Sequence, residues 1–306
     1  MATRTPLRLV ALLGTLLSGA CASESEDEDA AKVASELAHA EMQVLQFNLT
    51  HNDVAWNDAL SEIQNWGGPV IATLQEVCFD SQWKPLADQK SGSWVMAFHH
   101  QKGRLAPAQQ EQDQANKACP KDAEMTGGKA AYGNAVVFNQ LGNDAEGVKV
   151  WEHSFDANAP MNWGVACARL PFLGIKVTAC STHLVVGDPP RRKAQTKAID
   201  DLLRAEANAG SYPVIGGDFN TTPSKDEMDF MYAHNGQGIF CEAAGQCDSR
   251  DGDVTAQSNR KIDYIFFGKA RFVSSKVNIV DASSDHKKLK AKAAIDVPKK
   301  GKGKKK

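Results

Sequence analysis

No stretch of this chain offers the ~20 consecutive apolar residues that a membrane-spanning helix needs. Its cysteines never stand in the CxxC pairs of a zinc site, and no G-x-S-x-G segment marks the nucleophile of a serine hydrolase. No internal repeat is visible, which removes solenoids and propellers. The formal net charge of the 306 residues is only -2, so the chain as a whole carries no electrostatic bias toward nucleic acid. What remains is a chain with 42% hydrophobic residues, enough for one large core or two smaller ones.

Charge is gathered instead at the two ends. An acidic run covers Glu24 to Asp29 and a lysine tail covers Lys299 to Lys306, both with the composition of unfolded segments. The tail reads either as a solubilising end or as an attraction for phosphates and anionic surfaces. Ahead of the acidic run, Arg4 and Arg8 precede LVALLGTLL and the small residues SGACA, the order of a secretory signal. Residues 1–22 are read as that signal, with cleavage after Ala22; the alternative is a lipid-modified Cys21, with LLSGAC as a bacterial lipoprotein signal. A secreted, periplasmic or cell-surface location follows. Residues 23–40 are then an acidic linker, 41–297 the folded domain and 298–306 the lysine-rich tail.

Export permits disulfides. With Cys21 set aside, Cys78, Cys119, Cys167, Cys180, Cys241 and Cys247 form an even set whose connectivity the sequence leaves open. Cys167 and Cys180 sit on two strand-like runs that could face each other across a hairpin. Cys241 and Cys247 would close the short loop CEAAGQC, leaving Cys78 for Cys119.

Along the chain, MQVLQFNL reads as a strand ending at Asn48, VAWNDALSEIQNW as an amphipathic helix, and PVIATLQE as a strand ending at Glu76. Residues 101–129 are polar and aperiodic, which predicts a long surface insertion held by Cys119. Strand-like runs resume in GNAVVFN and around Cys167 and Cys180, followed by RRKAQTKAIDDLLRAEANAG, a helix that stops at Gly210. The stretch SYPVIGGDFNTTPSKDE is a buried strand that ends in Gly216 and Gly217, with Thr222 or Ser224 placed to cap a following helix. KIDYIFFG and KLKAKAAIDV are the last strands. Strands outnumber helices, which predicts an α/β domain with two sheets packed face to face and helices outside.

Polar residues recur where apolar runs end: Asn48, Glu76, His183, Asp218, Asn220, Asp263, Asp285 and His286. Each alone has an ordinary reading, such as a structural histidine at His183 or a turn in which Asp218 and Asn220 bond backbone amides. Together they supply hard oxygens, two imidazoles and amide donors. Such oxygens favour Mg²⁺ or Mn²⁺. A phosphodiester needs its nonbridging charge neutralised, a water activated and a departing oxygen stabilised, and this inventory covers all three.

In this order LQE, THL, GDFN, IDYIF and SDH resemble the endonuclease/exonuclease/phosphatase superfamily, in its deoxyribonuclease I-like form, from Asn48 to His286. The resemblance implies a four-layer α/β sandwich, two mainly antiparallel sheets face to face with helices outside and the site at one edge of the sheets. It assigns Glu76 to the principal divalent metal, Mg²⁺ or Mn²⁺ with Ca²⁺ as an auxiliary alternative, with Asn48 beside it and Asp285 contributing directly or through water. His286 becomes the base or phosphate-orienting imidazole, oriented by Asp263. Asp218 positions or deprotonates the attacking water or stabilises the leaving oxygen, Asn220 binds the phosphate, and His183 completes the clamp or acts as general acid. On this reading Gly216 and Gly217 clear space for the phosphate that Asp218 and Asn220 meet. Export points to extracellular DNA or RNA as substrate, with a phospholipid head group as the alternative, and the expected state is a monomer. Arg104, Lys129, Arg191, Arg192 and the lysine tail lean toward nucleic acid. A catalytically inactive surface-binding protein is the reading from another class, and the full acid, amide and imidazole set argues against it.

Overall fold

The computed structural model describes residues 37–102, 109–140, 147–155 and 161–299. The leader, Cys21, most of the acidic linker, Arg104 and the tail beyond Lys299 lie outside them.

Twelve strands are described, in two sheets of six. The first takes β1 (Leu37–Asn48), β2 (Val70–Cys78), β3 (Val95–Lys102), β4 (Tyr132–Phe138), β11 (Phe272–Val280) and β12 (Lys288–Pro298), in the order β11-β12-β1-β2-β4-β3. The second takes β5 (Lys149–Ser154), β6 (Gly164–Phe172), β7 (Ile175–His183), β8 (Ser211–Asp218), β9 (Phe240–Glu242) and β10 (Asp263–Gly268), in the order β5-β6-β7-β8-β10-β9. The described α-helices are α1 (Asp53–Asn65), α2 (Lys84–Lys90), α3 (Gln109–Ala118), α4 (Pro120–Thr126) and α5 (Pro189–Asn208). Parallel pairs join β1 to β2 and β7 to β8, and each needs a crossover, supplied by α1 and α5.

Strand alternation explains the layers. In β1, Met42 and Val44 face the opposite sheet, while Leu45 and Phe47 face α1. In β8 and β10, Val214, Ile265 and Phe267 join the inter-sheet core, while Ile215 and Phe266 face the outer layer with Ile199 and Leu203 of α5. α1 forms because Asn52 caps it, its side chain accepting from the Val54 amide at 2.8 Å, and because Ala55, Trp56, Ala59 and Ile63 fall on one buried face. α5 starts the same way, Asp188 accepting from the Arg191 amide at 3.1 Å. The result is a four-layer α/β sandwich, helix on sheet on sheet on helix.

Several local expectations give way to the fold. β1 begins at Leu37, inside the segment read as linker, because His39 and its neighbours extend the pairing surface and His39 meets Asp296 at 2.9 Å. Residues 101–129 are not a long irregular insertion: β3 runs to Lys102, and α3 and α4 occupy 109–126. The Cys78–Cys119 disulfide and Asp122, which accepts from the Asp80 and Ser81 amides at 2.6 and 2.7 Å, dock them. Among the described residues no α-helix follows Asp218; one 3₁₀ turn, Asp226–Met228, takes its place, and neither Thr222 nor Ser224 caps it. The edge strands β3, β5, β9 and β11 left no signal comparable to the buried ones.

Three disulfides are formed, Cys78–Cys119, Cys167–Cys180 and Cys241–Cys247. Cys167 and Cys180 are register partners on β6 and β7, with Cα atoms 4.2 Å apart, and both point into the helix-facing layer. Cys78–Cys119 closes the longest loop, a separation of 41 residues. Chain-entropy reasoning gives such a closure about 4 kcal/mol. Replacing Cys78 and Cys119 together by alanine is expected to lower unfolding free energy by about that amount in a denaturant titration. Alkylation of the oxidised wild type is expected to label none of the six.

Candidate active site

The inward faces of the central strands change character along their length. Val44, Gln46 and Asn48 follow one another on β1, Ile71, Thr73 and Gln75 on β2, Val177, Ala179, Ser181 and His183 on β7, and Val214, Gly216 and Asp218 on β8. β10 runs the other way, and Asp263 at its start is the register partner of Asp218. All polar ends therefore meet at one end of the sandwich. They are bonded across it: Gln46 Nε2 donates to Gln75 Oε1 at 2.8 Å and to Asp263 Oδ1 at 3.2 Å, and Gln75 Nε2 donates to Ser181 Oγ at 3.0 Å.

On this floor the chemistry-bearing groups converge. Asn48 Nδ2 donates to Asp218 Oδ2 at 3.1 Å and to Glu76 Oε1 at 3.3 Å. His183 lies between the same two carboxylates, Nε2 3.5 Å from Asp218 Oδ2 and Nδ1 3.8 Å from Glu76 Oε1. Both separations exceed a hydrogen bond, and buried Nδ1 has no hydrogen-bond partner among the described residues. Trp163 packs edge-on against this ring, centroids 5.6 Å apart. His286 Nδ1 is held by both oxygens of buried Asp263, at 2.9 and 3.1 Å, and its Nε2 faces Asp218 Oδ2 at 3.7 Å and Asp285 Oδ1 at 3.9 Å. Asn220 gives its backbone amide to Asp218 Oδ1 at 2.9 Å and its side-chain amide to the Leu184 carbonyl at 2.9 Å. The eight residues singled out in the sequence thus share one end of the fold.

Two of them stand in left-handed backbone, Glu76 at φ 56° and Asn220 at φ 53°. Glu76 does not end its strand, which continues to Cys78. It sits in a bulge between Leu74 and Val77 that turns its carboxylate toward the site. Gly216 and Gly217 do not clear room for a ligand. A Cβ at Gly216 would collide with Thr73 Oγ1 of the facing sheet, and one at Gly217 with the Thr182 carbonyl of the neighbouring strand, so these glycines let the sheets close.

Electrostatics follow from burial. Burial pushes Asp218 up to about 6, the charges of His183 and His286 pull the other way, and Asp263 adds to the rise. Burial alone would lower His286, but the hydrogen bond and charge of Asp263, with Asp218 and Asp285 behind it, outweigh that and hold the imidazole at about 9.

The sequence reading missed three contributors. Thr50 and His51 follow Asn48 in consecutive left-handed conformations, φ 49° and 56°, and this turn brings His51 Nδ1 to Glu76 Oε2 at 3.0 Å. Thr50 Oγ1 bonds Asp285 Oδ1, and Ser284 Oγ donates to the Asn48 carbonyl at 2.8 Å, tying the Asp285–His286 loop to the end of β1. The signal was present in the polar run LTHND between strand and helix, where Asn48 Oδ1 accepts from the Thr50 amide at 3.0 Å as an Asx turn. Arg192, read as a nucleic-acid contact, is buried and structural: its guanidinium donates to Glu227 at 3.0 Å and to the Val185 carbonyl at 3.1 Å.

The chain matches the family model described as "Endonuclease/Exonuclease/phosphatase family" over residues 45–286. It belongs to that family. Solved structures of similar fold include D. rerio TDP2 complexed with single strand DNA product, 14% identical with a TM-score of 0.55 over 83% of this chain and 99% of that one. The human Nocturnin catalytic domain with bound sulfate anion is 19% identical, with a TM-score of 0.58 over 85% and 96%. An endonuclease/exonuclease/phosphatase from Beutenbergia cavernae DSM 12333 is 17% identical, with a TM-score of 0.56 over 83% and 72%. At these identities the likeness is one of fold. No curated protein matches the chain by sequence. Nucleases and phosphatases, the activities in the family's name, both hydrolyse phosphate esters.

A divalent cation fits this family member's site on the chemistry of its donors. Among the described residues, Asp218, Asp263 and His286 place ligand atoms within 4.8 Å of one another. That trio is a poor cage, because the Asp263 carboxylate already holds His286 Nδ1 and the raised affinity of the ring for a proton opposes metal binding. Glu76 and Asp285 offer hard carboxylate oxygens with lone pairs to spare. Asn48, read from the sequence as a metal ligand, presents its amide nitrogen to Glu76 and Asp218, while its oxygen accepts from the Thr50 amide and keeps a second lone pair.

A histidine held at about 9, above its ordinary value of 6.5, adds stability that is complete below 6.5 and lost as pH rises through 9. In metal-free protein the thermal midpoint is therefore expected to fall between pH 6.5 and 9, and to fall less in His286→Gln, as followed by circular dichroism at stepped pH.

Proposed function

We propose that this chain is an exported, divalent-metal-dependent phosphodiesterase that cleaves DNA or RNA with little sequence preference. The observation that carries the reading is the convergence of Glu76, Asp218, His183 and the Asp263–His286 pair around one opening, with a buried His183 nitrogen that has no hydrogen-bond partner among the described residues. A metal bound through Glu76 and Asp285 would supply charge to the nonbridging phosphate oxygens. Asp218, ionised above about 6, accepts a proton from the attacking water. His286, protonated at neutral pH and fixed by Asp263, presents positive charge from Nε2 to the phosphate. His183 spans Glu76 and Asp218 and turns Nδ1 to a phosphate oxygen or the departing oxygen. Asn220 retains one amide hydrogen for the phosphate beyond its bond to Leu184.

The leader order of residues 1–22 points to export, away from cytoplasmic phosphates. Two features support nucleic acid over a lipid. Trp163 is buried against His183 and offers no membrane anchor. The large apolar side chains exposed among the described residues, Val54, Met125, Val150, Leu173, Val186 and Val273, include no aromatic. TDP2 of D. rerio, with its single strand DNA product, shows the fold accommodating such a strand. No base-reading module accompanies the site, so selectivity comes from backbone geometry.

Purified protein incubated with Mg²⁺, Mn²⁺ or Ca²⁺ is expected to cleave plasmid DNA or RNA and to leave sphingomyelin intact; the reverse pattern overturns the substrate reading. Glu76→Gln should lose metal response, and His183→Ala or His286→Ala should lower kcat by the ~10²–10⁴-fold of a lost acid, base or charge donor. Asp263→Asn combined with His286→Ala should be hardly worse than His286→Ala alone, because the two act as a unit. Fully multiplicative losses would remove the orienting role of Asp263.

A further inference from the structure

Among the described residues many cations near the surface meet a carboxylate, Lys84 with Asp88, Lys197 with Asp201, Arg204 with Asp200 and Arg250 with Asp229, while others such as Lys176 and Lys276 stand singly without one. One cleft instead gathers three cations. It encloses about 720 Å³ between the start of α5 and the loop after β8, and Asn220 and Thr221 of the active-site exit form part of its wall. Three exposed cations line it, Lys193, Lys225 and Arg260. Among the described residues neither lysine has an ion pair, and the Arg260 guanidinium bonds only Ser258 Oγ, at 3.3 Å. Two acids share the lining, but Glu227 is held by Arg192 at 3.0 Å and by Thr221 at 3.3 Å, which leaves Asp226 alone against three cations.

An unbalanced positive cleft that opens from the residue expected to meet the scissile phosphate suits more of the same polyanion. We propose that this cleft is the subsite for the phosphate next to the scissile one, so that the preferred substrate is a polynucleotide strand and not an isolated phosphodiester. The assignment rests on the nucleic-acid reading above. Its physical content is electrostatic: Lys193, Lys225 and Arg260 need no desolvated partner to be displaced before they meet the strand, and each phosphate they neutralise releases a counterion. Asp226 sets the limit, repelling a strand that strays from the cationic side. A phospholipid head group carries its reacting phosphate without a second one in chain, and so gains nothing from this cleft.

The test compares kcat/KM for a dinucleotide, which has one phosphodiester, with that for a decanucleotide of the same core sequence. The intact protein is expected to favour the decanucleotide by roughly tenfold or more per bond. The Lys193→Gln, Lys225→Gln, Arg260→Gln triple variant should bring that ratio close to one. It should also flatten the dependence of log(kcat/KM) on log salt by roughly 0.7 for each phosphate of a single strand that the variant no longer neutralises. An unchanged ratio and slope in a triple variant with wild-type thermal midpoint overturns the subsite while leaving nuclease activity standing. Should the triple variant fail to fold, Lys225→Gln alone must lower the ratio severalfold, and an unchanged ratio is equally fatal. Turnover of bis(p-nitrophenyl) phosphate without cleavage of either nucleotide overturns the nucleic-acid reading, and the subsite falls with it.

Discussion

The site depends on a band of buried hydrogen bonds that joins the two sheets where their inner faces turn polar. Gln46 reaches Gln75 and Asp263, Gln75 reaches Ser181, and Asn48 reaches Asp218, so β1 and β2 of one sheet are tied to β7, β8 and β10 of the other. A buried donor or acceptor left without a partner costs about 1–3 kcal/mol. A slip of one residue in any of these strands would turn its polar atoms into the helix-facing layers and its apolar ones toward the opening. The same bonds that hold the sheets in register therefore set the distances between the carboxylates and imidazoles.

That band concentrates negative charge. Glu76, Asp218, Asp263 and Asp285 all face a small volume, and among the described residues His183, His286, His51, amide hydrogens and the Thr50 hydroxyl oppose them. Burial first, and the charge of Asp263 beside it, make Asp218 hold its proton to unusually high pH, and His286 does the same despite burial, because Asp263, Asp218 and Asp285 surround it. Left-handed backbone at Glu76 and Asn220 is a conformation costing of order 1–3 kcal/mol per residue outside glycine; β-pairing on both sides holds it at Glu76, and bonds to Asp218 and the Leu184 carbonyl hold it at Asn220. Charge crowding and strain at one spot are the usual mark of a site built to bind something of the complementary sign.

The disulfides stand apart from this chemistry. Cys167–Cys180 lies on the helix-facing side of its sheet, and Cys241–Cys247 closes a loop beyond β9. Cys78–Cys119 comes nearest, since β2 carries Glu76 two residues before Cys78 and the bridge docks α3 and α4 against that strand's exit.

Period-2 and helical patterns are enough to read the buried strands and both crossover helices, and the eight polar residues stand out because they lie at or near the ends of those runs. The sequence by itself also carried the family, since several short motifs in fixed order are hard to assemble by chance. It did not determine which atom of each residue faces the opening. The Asn48 amide could have turned either end to the carboxylates, and only the tertiary structure shows its nitrogen meeting Glu76 and Asp218 while its oxygen meets the Thr50 amide. Gly216 and Gly217 looked like room for a ligand, but the facing Thr73 and neighbouring Thr182 show them to be room for another strand. His51 and the cations of the cleft were equally hidden, because a turn of two left-handed residues and the docking of α5 beside β8 join parts of the chain that no local pattern relates. Local periodicity reports which residues are buried, whereas the partner each one meets is fixed only when two sheets close on each other.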